Sequence, residues 1–373
     1  MTHPPGYITK IDDITELSED DAAKLKTVEE RFPFRSSEYY LSLIDWSDEH
    51  DPIRRIILPE PDELDNWGGE LDPSTESSNT VLPGVQHKYG PTALMLVSEV
   101  CGGICRFCFR KRIFMDTDSE TIKNLAENIE YIKNHPEISN VLLTGGDPPL
   151  MLATAKLEPV IQQLREIDHV KIIRIGSKMP AYNPYRIIND PSLLEMIEKY
   201  STKDKRIYIM TQFNHPRELT EAAVEAIDLL TKAGAKPTNQ TPILRGINDD
   251  PDVLGELLSK LAATGVSPYY IFQCRPTTGN QHFSVPVEEA YQIIEEAKVH
   301  CSGLAKRVKY VMSHKSGKIE ILATDSNHTY MKYHQADTKE NIGKLMVFTK
   351  NPDAKWFEDY GLPLSESSPD YQK

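Results

Sequence analysis

The sequence predicts an α/β fold: a partial (β/α)6 barrel with an N-terminal helical extension and a small C-terminal cap. Three observations predict it. From Thr92 onward, short apolar runs alternate with amphipathic helical stretches. The runs are too apolar to be half exposed, which argues for a parallel sheet covered by helices. The motifs able to carry chemistry stand directly after the runs, where a barrel places its active site. A doubly wound sheet is the competing arrangement.

The elements follow in order. Residues 1–90 read as a helical and irregular extension, with a helix over 18–32 that Ser18 can cap. The Pro, Gly and acid-rich stretch from Leu58 to Gly90 reads as an irregular segment draped over a larger body. The barrel spans 91–308. Its strands are the runs at 93–97, 140–144, 170–175, 207–213, 236–244 and 268–273. Helical patterns lie near 118–134, 155–167, 192–200, 219–233, 252–264 and 287–299. In the stretch at 219–233, Ala223, Val224, Ile227 and Leu230 recur at the three- and four-residue spacing of one buried face. Residues 309–373 read as a turn-rich β segment covering the barrel mouth, with a polar tail from Pro363.

Composition narrows the functions. At 373 residues, 39% hydrophobic and 26% charged, the chain is ordinary for a globular protein. No apolar stretch reaches the roughly 18 residues of a membrane span. The opening residues, MTHPPGYITKIDD, carry no basic region followed by an apolar core, so a secretion signal is not expected and a cytoplasmic location is. A net charge of −14 disfavours nucleic acid as a partner.

Three of the five cysteines fall within eight residues, as Cys101-Gly-Gly-Ile-Cys105-Arg-Phe-Cys108. In a reducing compartment such a cluster suggests metal or redox chemistry. Three thiolates spaced C-x3-C-x2-C on one loop can hold three corners of a [4Fe–4S] cubane. Gly102 and Gly103 let the backbone wrap it closely. The fourth iron then lacks a protein ligand, and S-adenosylmethionine can offer it an amino group and a carboxylate. A zinc knuckle would want a second cysteine pair, and the chain has none. After the second run comes Thr144-Gly145-Gly146-Asp147-Pro148, whose Gly-Gly turn could hold the methionine amino group. Together these form the radical S-adenosylmethionine signature.

A narrower resemblance rests on longer stretches. Tyr39-Tyr40-Leu41-Ser42-Leu43-Ile44-Asp45, Asp51-Pro52 and Pro83-Gly84-Val85-Gln86-His87-Lys88-Tyr89 precede the cysteines. Arg174-Ile-Gly-Ser177, Phe213-Asn214-His215-Pro216, Asn239-Gln240, Leu244-Arg245-Gly246-Ile-Asn248-Asp249 and Pro268-Tyr-Tyr-Ile-Phe-Gln-Cys274 follow them. From about residue 35 to about residue 300 the chain resembles the lysine 2,3-aminomutase family. The resemblance implies a [4Fe–4S] cluster, S-adenosylmethionine and usually pyridoxal phosphate. It also implies an isomerase that moves an amino group between neighbouring carbons of an amino acid, a small-molecule substrate, fed by a reductant such as flavodoxin or ferredoxin. Arg110 matches the residue that binds the substrate α-carboxylate, and a guanidinium fork suits that group. Lys318 matches the lysine that carries pyridoxal phosphate. His215 and Gln240 are candidates for the S-adenosylmethionine pocket, with Gly145, Gly146 and Asp147.

Three departures stand out. Where the family has an acidic residue for the lysine side-chain amine, this chain has Arg275, and Val311 and Met312 occupy the region of the second acid. A cation there repels an ammonium and attracts a carboxylate, so we expect an acidic or neutral substrate side chain. The arginine that holds the cofactor phosphate is replaced by Thr92, and the glycine-rich loop is reduced to His314-Lys315-Ser316-Gly317-Lys318. Two readings therefore stay open: pyridoxal phosphate on Lys318, or a pyridoxal-free radical enzyme in which Arg275, Lys315 or Lys318 handles another substrate. A protein side chain as substrate is a further alternative. Finally, the family's zinc-binding cysteine is Asp250 here, so no zinc is expected. A homodimer through other surfaces is compatible with that.

Overall fold

All six runs form strands, with successive residues alternating between a helix-covered face and a cavity-facing one. The structure is a computed structural model and describes residues 5–65, 68–115, 120–147 and 152–369. Pro148 lies outside them. A single sheet carries β1 (Thr80–Leu82), β2 (Val85–Tyr89), β3 (Thr92–Ser98), β4 (Asn140–Gly145), β5 (Ile172–Ser177), β6 (Arg206–Thr211), β7 (Lys236–Pro242), β8 (Ser267–Phe272), β9 (Lys309–His314), β10 (Gly317–Thr324), β11 (His328–Ala336), β12 (Leu345–Thr349) and β13 (Ser365–Ser367), each hydrogen-bonded to the next. From β3 to β9 the pairing is parallel. Outside that run it is antiparallel.

The alternation positions the site. On β4 and β5, Val141, Leu143, Ile173 and Ile175 are fully buried in a core shared with Leu157, Ile161 and Leu193 of the covering helices. Their neighbours Leu142, Thr144, Arg174 and Gly176 line a central cavity. A register slip of one residue would exchange the two sets, so burial of the aliphatic face fixes which polar groups look inward.

In the N-terminal extension, α1 (Glu19–Glu29) is capped by Ser18 and α2 (Pro52–Ile57) by Asp51. The covering helices after it are α3 (Leu125–Lys133), α4 (Thr154–Arg165), α5 (Pro191–Tyr200), α6 (Glu221–Lys232), α7 (Pro251–Ala263) and α8 (Val287–Val299). Thr220 caps α6 and Asp250 caps α7, each side-chain oxygen accepting a free first-turn N–H.

Two segments differ from the sequence reading. Residues 80–89 form the hairpin β1–β2 on the sheet edge, within a stretch expected to be irregular. Residues from 309 onward continue the same sheet, and Ser313, His314, Lys318 and Gln335 of that segment line the cavity. β9 is a seventh parallel strand, with Tyr310, Val311 and Met312 all buried. A two-residue turn, Lys315-Ser316, then reverses the chain into β10.

The antiparallel strand that precedes the parallel run meets its far end and the strand beyond. Lys88 Nζ on β2 donates to the His314 carbonyl on β9 at 3.0 Å, and Lys318 Nζ on β10 lies 5.0 Å from the Tyr89 ring centroid. Side chains close the seam that the backbone leaves open.

Candidate active site

The strand ends converge on a cavity of about 440 Å³. β3 ends at Ser98, and the loop that follows turns Cys101, Cys105 and Cys108 into that cavity. Arg106 anchors the loop. Its side chain is fully buried, and its guanidinium meets the Glu63 carboxylate at 2.7 and 2.9 Å and the Pro33 carbonyl at 2.9 Å. Lys111 Nζ reaches the same carboxylate at 2.8 Å. The Ile104 and Arg106 amides donate to the carbonyls of Arg35 and Ile56, each at 2.9 Å. Phe107 packs in the core of the extension with Tyr40, Ile56 and Phe283. The N-terminal residues therefore hold the cysteine loop in place.

The donor set fits a [4Fe–4S] cluster. Three thiols from one anchored loop face the same space. Burial pushes all three thiol pKa values up, Cys105 to about 12. Their thiolates thus call for a positive partner, which bound iron supplies.

Across the cavity the Gly-Gly turn is tied to the start of the same loop. Gly146 N–H donates to the Ser98 carbonyl at 2.9 Å and Asp147 N–H to that of Val100 at 3.0 Å. Gly145 has φ +131°, and a Cβ there would lie 2.1 Å from the Ser98 oxygen, so only glycine fits. With those two N–H groups engaged, the turn suits an ammonium donor through its carbonyls. Asp147 lines the cavity, with its carboxylate already engaged. Its carboxylate accepts from Ser177 Oγ and the Lys178 amide, each at 2.5 Å, and burial raises its pKa to about 6 against those bonds. Gln240 lines the cavity from β7.

His215 does not line the cavity. Glu218 Oε2 accepts from the amides of Asn214 and His215, and His215 Nδ1 accepts from the Arg217 amide. Lys178 and Gln212 line the cavity on that side. The Lys178 ammonium bridges the Gln212 carbonyl at 2.7 Å and Glu218 at 2.6 Å.

Lys318 stands at the seam. Its Nζ donates to Gln335 Oε1 at 2.9 Å. Burial, then the nearby Arg174, Arg275 and Lys88 charges, bring its pKa down to about 7. A lysine so placed is substantially neutral and nucleophilic near neutral pH. Lys88 is likewise lowered, to about 8, by burial and by Arg275. These residues fit pyridoxal phosphate: a neutral amine for its aldehyde and, beside it, cations for its phosphate. Lys315, by contrast, is exposed and pairs with Glu358 at 3.1 Å, outside the cavity.

Arg110 does reach the cavity, but in company. It donates to Glu76 at 2.6 and 3.0 Å and to Thr144 Oγ1 at 3.0 Å. Arg112 also holds Glu76, at 2.7 Å. Burial alone would raise the Glu76 carboxyl; the Arg110 and Arg112 guanidinium groups bring it down to about 2. Of the five N–H groups of Arg110, two remain for a substrate.

Arg275 has no such partner. Its guanidinium lies over the Phe109 ring, and Nη1, shut off from solvent, makes no hydrogen bond. Burial lowers its pKa to about 10, which leaves it charged at neutral pH. Among the described residues, only Glu76 and Asp147 bring carboxylates to the cavity wall, and both are engaged. Lys88, Arg174, Arg275 and Lys318 face the same space with no carboxylate hydrogen-bonded to them.

Lys88 and Arg174 sit in motifs visible in the sequence, yet nothing in those motifs told their roles. Glu63 and Glu76 carry no local signal, because each acts on residues more than thirty positions away.

Comparison with known proteins agrees with this geometry. Residues 95–258 match the Radical SAM superfamily. The chain is 53% identical over 361 residues, 96% of each chain, to a protein of Aquifex aeolicus (strain VF5) named "Putative L-lysine 2,3-aminomutase". It is 41% identical over 267 residues to the L-lysine 2,3-aminomutase of Clostridium subterminale, covering 71% of this chain and 62% of that enzyme. It is 35% identical over 314 residues to the glutamate 2,3-aminomutase of Clostridioides difficile (strain 630), covering 83% and 73%. The protein is thus a radical S-adenosylmethionine enzyme, with a [4Fe–4S] cluster and S-adenosylmethionine as its cofactors. It belongs to the lysine 2,3-aminomutase family and is an aminomutase, an isomerase. Among the described residues no helix is long and apolar enough to cross a membrane.

Proposed function

We propose that the enzyme is a 2,3-aminomutase for a free amino acid with an acidic or neutral side chain, and not for lysine. One observation carries this reading: neither carboxylate on the cavity wall is free to receive a side-chain ammonium, while Arg275 presents an unpartnered cation. A buried ammonium without a carboxylate costs several kcal/mol. The name of the Clostridioides difficile relative supports an acidic substrate. Those of the Aquifex and Clostridium subterminale relatives point to lysine, but the charges lining this cavity oppose it.

The roles follow from position. Cys101, Cys105 and Cys108 hold three irons. The cluster and S-adenosylmethionine, when bound, would supply one-electron radical chemistry, with a flavodoxin- or ferredoxin-like protein as the electron donor. Gly145 and Gly146 offer carbonyls and Gln240 its amide to S-adenosylmethionine. Lys318 presents its neutral Nζ to pyridoxal phosphate, which supplies a ring to delocalise an unpaired electron. Lys88 and Arg174 neutralise the phosphate in place of the arginine missing at Thr92. Arg110, oriented by Glu76, takes the α-carboxylate through its two remaining N–H groups. Arg275 takes the side-chain end. Tyr89, Phe109 and Tyr270 form apolar walls that limit water.

The test is turnover by anaerobically reconstituted enzyme of lysine, glutamate, glutamine and alanine, with β-amino products separated by chromatography. A β-amino product from glutamate or a neutral amino acid is expected. Efficient turnover of lysine with none of the others would sink the reading.

A further inference from the structure

Beside the cysteine loop, on the wall of the same cavity, lies a group that the proposed chemistry does not use. Tyr182 is 1% exposed, and its hydroxyl lies 2.8 Å from the Cys105 sulfur. A cysteine sulfur bound to iron carries no proton, so in the loaded enzyme the phenol must be the donor. The ring is locked. Tyr40 meets it edge-on at 4.5 Å, Ser37 Oγ donates to its carbonyl, and its own amide donates to the Lys178 carbonyl at 2.8 Å. The loop is cut to fit it, since a Cβ on Gly103 would come within 3.0 Å of the Tyr182 ring carbons. Ile57 Cδ1 would lie equally close, at 3.0 Å, so a side chain at 103 is crowded from both sides although the backbone there is not left-handed. Lys178 Nζ lies 5.1 Å from the ring centroid, with Glu218 balancing its charge at 2.6 Å.

We propose that Tyr182 is a positioning residue for the cluster, its hydroxyl donating to the Cys105 sulfur and so raising the cluster's reduction potential. Reduction adds negative charge that spreads onto the sulfurs, so a fixed donor stabilises the reduced form more than the oxidised one. No bond forms or breaks at Tyr182, and the electron still comes from the external donor. The hydroxyl changes only how far the cluster is reduced at a given donor potential.

The test is a potentiometric titration of the reconstituted enzyme, following the spin-resonance signal of the reduced cluster, in wild type and Tyr182→Phe. Phenylalanine keeps the ring and removes the donor. The midpoint should fall, so that the reduced fraction at a fixed potential drops about tenfold, equivalent to ~59 mV for one electron. An unchanged midpoint with full iron content would overturn the proposal. If Tyr182→Phe fails to assemble the cluster, placing 3-fluorotyrosine at position 182 decides. Its more acidic phenol is a stronger donor, so the midpoint should rise, and no movement would again overturn the proposal. Neither readout depends on which amino acid is the substrate.

Discussion

The Arg275 guanidinium carbon lies 3.9 Å from the centroid of the Phe109 ring, one residue beyond Cys108. The stack fixes the plane of the fork and leaves its edge to hydrogen-bond in the cavity. Replacing Arg275 with Gln should raise KM for an acidic substrate by about 10- to 100-fold, since a charged hydrogen bond contributes ~1.5–3 kcal/mol. Steady-state kinetics check this. Unchanged KM and kcat would remove Arg275 from the substrate site.

Lys318 should react as a neutral amine at unusually low pH. With a pKa of about 7 instead of 10.5, it is half deprotonated near pH 7 and charged below it. The labelling rate of Lys318 by an amine-specific reagent, read by peptide mass spectrometry, should rise through pH 7 and level off above about 8. Stability has the matching sign. The folded pKa lies below the unfolded one, so the cost of burying this charge is full below pH 7 and is relieved as pH rises toward 10.5. A labelling midpoint near 10.5 would contradict the placement.

Glu76 gives the opposite acid behaviour. Its folded pKa of about 2 lies below the ordinary 4.5, so it contributes stability above pH 4.5 that is lost as pH falls toward 2. Glu76→Gln should cost about 3–5 kcal/mol at pH 7 by leaving Arg110 and Arg112 without their shared carboxylate. It should also lose less further stability between pH 5 and pH 3 than wild type. Denaturant unfolding at those three pH values tests both statements.

Gly145→Ala should destabilise the fold by roughly 1–3 kcal/mol or more, because a side chain is strained at φ +131° and meets the Ser98 oxygen. Gly90, whose Cβ would meet nothing within 4 Å, is the control and should tolerate alanine within about 0.5 kcal/mol. Thermal melts of both variants distinguish a specific clash from a general effect of substitution.

The barrel was legible because its signals are local. Five of the six strands are built around short aliphatic or aromatic stretches, β7 (KPTNQTP) being the exception, and Ser18 stands beside the first turn of α1 as a cap. The cysteine spacing is equally local. β9 escaped because KYVMSH is followed by a turn and not a helix, so it did not look like another β/α unit. The electrostatics of the site were largely illegible. Arg106 stands between two cysteines, but only folding brings Glu63 to it from 43 residues away. His215 follows β6 in a recognisable motif, yet it is not among the residues that line the cavity, and its amide donates to Glu218. Arg275 drew notice as a departure from the family pattern. Its lack of a partner emerged only from the folded cavity.

The most direct measurement is a competition in one vessel, with reconstituted enzyme, equimolar lysine and glutamate, and the initial ratio of the two β-amino products. That ratio equals the ratio of kcat/KM values. The charges around Arg275 and Lys318 predict that β-glutamate dominates. Predominance of β-lysine would mean that the cavity accepts an ammonium despite its charge, and would contradict the proposed substrate class.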